Sequence, residues 1–216
     1  MNEFEVSQST DNRLTISLIV MTAAMLLELF SRHFYDIYQG GAMMELLAQV
    51  VKTDGFLTAM SIIALCAQVY ITGCLWRAFR SKSHWAQWAC LVMMIAPVAI
   101  MLLSWTTDEE TVMQNMENPD ISSQQIISAA IGLAEIIAIF SLCVFLIRKC
   151  GGHLRQYGLA LLTCLLVNYV TSYGILFFHS ASTLSGILYN LLGFLLTLIP
   201  FVYQRRTMRA AHDLRR

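Results

Sequence analysis

The sequence predicts an all-α, polytopic integral membrane protein of six transmembrane helices with both termini in the cytoplasm, and three observations predict it. Apolar runs recur at 14–30, 56–76, 88–105, 126–147, 157–178 and 187–203. Each is close to the roughly 17–25 residues with which a helix crosses about 30 Å of hydrocarbon. Charged residues make up only 13% of the 216-residue chain and apolar ones 57%, whereas a water-soluble domain carries about 25% charged residues. So little charge cannot coat a globule of this size with solvated side chains, so lipid is the natural solvent.

The third observation is the placement of Lys and Arg. Six crossings return the C-terminus to the side of the N-terminus. With both ends inside, twelve of the 14 cations are cytoplasmic: Arg13, Arg77, Arg80, Lys82, Arg148, Lys149, Arg155, Arg205, Arg206, Arg209, Arg215 and Arg216. Arg32 and Lys52 alone fall outside, among the acidic residues of the outer connections. Cytoplasmic connections are the ones enriched in cations, which sets N-in, C-in and a plasma (inner) membrane. A net charge of zero conceals this asymmetry.

Taken in order, residues 1–13 are polar and begin with Glu3, Glu5 and Asp11. A cleavable signal begins with basic residues, so the first span is expected to stay in the mature protein. Ser9, Thr10 or Asp11 would cap its helix. The connection 31–55 lies outside. Beyond Gly40 and Gly41, the residues Met43, Leu47, Val50 and Val51 share one helical face, which predicts a short interfacial helix over 42–51; a re-entrant segment is the alternative. A short basic loop, 77–84, makes a hairpin of spans two and three. Trp85 and Trp88 would mark the inner interface and Trp105 the outer. Residues 106–122 are acidic, contain Pro119 and read as an outer loop. Gly151 and Gly152 break spans four and five apart, and 179–185 is a short outer turn. Pro97 and Pro200 would kink the third and sixth spans, because proline supplies no N–H to the preceding turn. The basic tail after Tyr203 is expected to be helical and to lie on anionic headgroups. No stretch is long enough for a separate soluble domain, so residues 1–216 read as one six-helix unit.

Glu135 is the most informative side chain. It lies nine residues into the fourth span, roughly 13 Å deep, where a carboxylate costs several kcal/mol unless it is neutral, paired or hydrated. Its own helix offers only Ile131, Gly132, Ala138 and Ile139 nearby. Asn168, mid-span in the fifth helix, can donate from its amide, and Tyr169, Ser172 and Tyr173 are further donors. Two readings follow: a protonatable or solute-coordinating site that also includes Asn190, or a carboxyl bonded to Asn168 that only holds two helices together. Glu28 near the outer end of the first span has Arg32 at i+4, the order that favours an intrahelical pair; a buried functional role for Glu28 is the alternative, and Arg32 and His33 could instead turn inward toward a shared outer-half cavity. Ala130, Ala134 and Ala138, with Ser128 and Gly132, form a stripe of small residues that admits close approach of another helix, in this chain or in a partner or second copy.

The five histidines avoid mid-span, and no two cysteines have CxxC spacing. No metalloprotease, nucleophile-elbow or phosphate-loop motif occurs. No cofactor, metal or nucleic acid is therefore expected. The plan of six helices with inside termini resembles, in architecture alone, the substrate-capturing membrane subunits of some vitamin importers. Three function classes fit: transport or binding of a small solute or ion within the bundle, a non-catalytic accessory or assembly subunit of a membrane complex, and an intramembrane lipid-modifying enzyme. The first takes precedence because intramembrane carboxylates are commonly functional.

Overall fold

In a computed structural model, residues 3–37, 53–82, 85–105, 123–177 and 183–210 are described. They form β1 (Phe4–Val6), α1 (Gln8–Ile37), α2 (Asp54–Ser81), α3 (Ala86–Trp105), α4 (Ser123–Lys149), α5 (Gly152–Phe177), α6 (Thr183–Arg206) and β2 (Met208–Ala210). The interfacial helix expected over 42–51 and the acidic loop 106–122 lie outside the described residues. So do the side chains of Arg32 and Tyr173.

Among the described residues, five helices are long and apolar enough to cross a membrane: α1, α2, α3, α4 and α6. The surface is the inverse of a soluble protein's. Val170 is 71% exposed and Ile19 62% exposed, whereas Thr72 and Gln204 are buried. A surface of Leu, Ile, Val and Phe is favourable only against hydrocarbon. The fold is that of a helical integral membrane protein.

Each helix packs on its neighbours in sequence, and α6 closes the ring on α1. Parallel strands β1 and β2 pair in the register Phe4↔Met208, Glu5↔Arg209 and Val6↔Ala210. The two ends of the chain thus meet at one end of the ring, called here the terminal end. Edge-on ring contacts tie other helix ends to the same place: Phe4 to Phe79 at 5.1 Å, Phe79 to Phe145 at 6.2 Å, and Phe145 to Trp85 at 5.6 Å. His153, at the start of α5, meets Glu3 at 3.2 Å. All the described cations of the helix ends, from Arg77 to Arg206, therefore gather at the terminal end.

Two boundaries differ from the sequence reading. Helix α1 begins earlier, at Gln8, and its cap is Ser7: the Ser7 Oγ accepts from the Thr10 N–H at 3.2 Å and the Ser7 carbonyl from the Asp11 N–H at 2.9 Å. Asp11 is released for another contact, with its carboxylate 2.8 Å from Arg205. The tail is not a continuing helix. Thr207 turns the chain, its hydroxyl donating to the Gln204 carbonyl at 2.7 Å, and its own carbonyl accepts the Phe4 N–H at 2.8 Å. A strand partner at the N-terminus outcompetes helical continuation there. Between α4 and α5 the break at Gly151 and Gly152 is as expected, with Gly152 at φ 53°, a backbone conformation that costs glycine little.

Candidate functional site

The ring of helices is not filled. It encloses a cavity of about 730 Å³ lined by α2, α3, α4, α5 and α6, with α1 packed outside it. The lining reads off each helix as a stripe. Helix α2 gives Leu65, Gln68, Val69 and Thr72; α5 gives Tyr157, Leu161, Cys164, Leu165, Asn168 and Tyr169. Steps of three and four residues keep each set on one face. Glu135 comes from α4 and Thr197 and Gln204 from α6. Pro97 and Pro200 both line the cavity, as do Met93 and Leu196, the residues four positions before them. Proline supplies no N–H to those two carbonyls.

The two ends of the cavity differ. At the terminal end its floor is Tyr157 and Gln204, each about 1% exposed, with the Tyr157 hydroxyl 3.4 Å from the Gln204 Oε1. Among the described residues the Gln204 Nε2 has no partner. A buried donor left unmade costs about 1–3 kcal/mol, so this amide is an open invitation to an acceptor. Toward the other end Asn168 and Tyr169, both on the lining, are exposed. From Tyr157 to Asn168 is 11 residues of α5, roughly 16 Å of rise.

Glu135 and Asn168 thus face one space, and among the described residues no hydrogen bond joins them. Among the described lining residues Glu135 is the one acid, and Lys, Arg and His are absent. Of the other residues singled out from the sequence, Asn190 lies two turns from the nearest α6 lining residue and Glu28 belongs to α1; neither lines the cavity. Sequence reasoning missed Gln68, Thr72, Tyr157, Thr197 and Gln204. Their signal was the polar stripe itself, at helical spacing inside otherwise apolar spans.

The terminal end is closed by a clasp of polar contacts. The Arg205 guanidinium donates to the Thr15 hydroxyl at 2.9 Å and to the Met208 carbonyl at 2.8 Å, while pairing with Asp11. His153 Nδ1 is 3.0 Å from the Gln156 Oε1. Cys150, at the α4–α5 turn, is buried, and that burial pushes its thiol up from the ordinary value. Among the described residues no three His, Cys, Asp or Glu side chains converge as metal ligands. No protein-family model, no curated protein and no solved structure matches this chain.

Proposed function

We propose that this protein binds a small, hydrogen-bonding solute, neutral or cationic, inside the bundle and carries it across the membrane. The observation that carries the reading is the cavity: a large interior space whose one carboxyl among the described lining residues is Glu135 and whose floor presents the Gln204 Nε2, unpartnered among the described residues. A site that only cemented helices would bring Glu135 and Asn168 together; here they stand around a space. An acid without a cation disfavours anions and favours an ammonium group or a proton-coupled neutral solute.

In this reading the chain crosses six times with the terminal end in the cytoplasm. The strand pairing of the two termini and the gathering of cations at that end both support it. The clasp and the Tyr157–Gln204 floor then form the inner gate, and the exposed Asn168 and Tyr169 mark the outer mouth. Transport would require the floor to part while the mouth closes.

The test is a thermal-shift screen of the purified full chain against a panel of small organic amines, neutral polar solutes and carboxylates. An amine or neutral solute is expected to raise Tm by several degrees. Glu135→Gln should keep the unliganded Tm within a degree or two and abolish that shift along with its pH dependence. A panel without hits, or a hit whose shift Glu135→Gln leaves intact, would overturn the reading.

A second reading has one specific observation behind it. Ala130 and Ala134 are exposed on the outside of the ring, whereas Ala138 is buried within it. An accessory subunit, or a second copy, could dock a helix on that face. Cross-linking through Ala134→Cys in membranes distinguishes it: dimers or adducts favour docking, and their absence favours lipid contact.

A further inference from the structure

A second cleft, of about 740 Å³, lies on the outer face of the ring at the terminal end, where α3 begins beside the last turns of α4. Its long wall is two parallel rows on α4: Phe140, Val144 and Arg148 in one, Ser141, Phe145 and Lys149 in the other. Four-residue steps put each row on one face. Over those eight residues, roughly 12 Å of rise, the wall passes from a half-exposed phenyl ring to a guanidinium and an ammonium group. Arg148 and Lys149 are both exposed, and among the described residues no carboxylate pairs with either.

Trp85 makes the facing wall. Its ring stands edge-on to Phe145, which stands in turn on Phe79, and Phe79 on Phe4. The wall is therefore braced through the protein to β1, and the cleft is formed in advance of any occupant. Cation at the bundle's end, indole beside it and aliphatic surface deeper in is the order of chemistry met along a phospholipid from phosphate to acyl chain.

The geometry points to a binding site for one anionic phospholipid, its phosphate between Arg148 and Lys149 and an acyl chain laid along Val144 and Phe140 against Trp85. Charge complementarity selects the occupant. Two unpaired cations favour a headgroup with net negative charge, whereas the choline of a zwitterionic lipid would bring a third cation to the same rim. The site is separate from the central cavity, for α4 turns Glu135, Ile136 and Ile139 inward and Phe140 and Val144 to this cleft.

The experiment is native mass spectrometry of the full chain in detergent, offered equal amounts of phosphatidylglycerol and phosphatidylcholine. The wild-type chain is expected to retain phosphatidylglycerol at least tenfold over phosphatidylcholine. Each neutralised cation should lower that retention about fivefold, so Arg148→Gln with Lys149→Gln should nearly erase the preference. Ser141→Trp fills the cleft with the charges intact and should also reduce retention. Glycerol 3-phosphate at millimolar concentration should not compete, because it lacks the acyl chain. Equal retention of the two lipids by the wild-type chain would overturn the proposal without reference to any variant. So would displacement by glycerol phosphate, or undiminished retention by a folded double variant.

Discussion

The terminal end and the cavity level are built from the same helices, yet they are packed in opposite ways. Among the described residues Tyr157, Phe79, Leu142, Leu146, Leu154 and Met208, toward the strands, are essentially inaccessible. One to two turns further along, the same ring parts around empty space lined by Glu135 and Asn168. In lipid there is little hydrophobic gain from bringing helices together, so association rests on close packing and interhelical polar contacts. The molecule concentrates both at one end.

If that division is right, the largest loss of stability should come from opening the clasp. Arg205→Ala strands Asp11, which is only 8% exposed, without its cation and also frees Thr15 and the Met208 carbonyl. Breaking a buried pair from one side costs about 3 kcal/mol. A fall of many degrees in the detergent melt is expected, with the N-terminal segment becoming accessible to protease. A melt unchanged within a degree would show that the strands, and not the ion pair, hold the ends together.

Next is Gly158, where α5 crosses α4. A Cβ there would meet the Leu146 Cβ at 2.7 Å and Ile147 at 3.3 Å, with the Cys143 carbonyl at 3.4 Å behind them. None of these is the loose end of a side chain, so the helices must separate. Gly158→Ala is expected to cost about 2 kcal/mol, even though alanine is the better helix former. The same melt checks it, and a stabilised variant would mean that the α4–α5 contact is looser than this packing implies.

How much of this contrast is legible in the sequence depends on which physical signal each region sends. Apolar length announced the helices, because crossing hydrocarbon is a local requirement of each segment. Glu135 announced itself for the same reason: a carboxyl in a span is anomalous whatever surrounds it. Gln68, Thr72, Thr197 and Gln204 are individually unremarkable in membrane helices, and only the closure of the ring turns their two stripes toward one space. The clasp was hidden more deeply. Pairing Phe4–Val6 with Met208–Ala210 joins positions some two hundred residues apart, and three-residue strands carry no periodicity. Asp11 looked like a cap because nothing local revealed Arg205.

The smallest effect sharpens the comparison most, since it uses the same substitution on the neighbouring helix. Gly132 lies three residues from Glu135 on α4, and a Cβ built there meets nothing within 4 Å. Its neighbours on the small-residue stripe, Ala130 and Ala134, are exposed. Gly132→Ala therefore removes a flexible residue from a helix interior without a clash, and it should leave Tm unchanged or raise it slightly, by less than about 1 kcal/mol. The sign opposes that of Gly158→Ala, so the two variants read packing directly, free of differences in side-chain chemistry. The measurement also bears on docking. In a monomer surrounded by lipid the added methyl group is neutral. If a partner helix lies against this face, the methyl intrudes on a close approach, and Gly132→Ala would weaken the complex in membranes while leaving the isolated chain as stable as before.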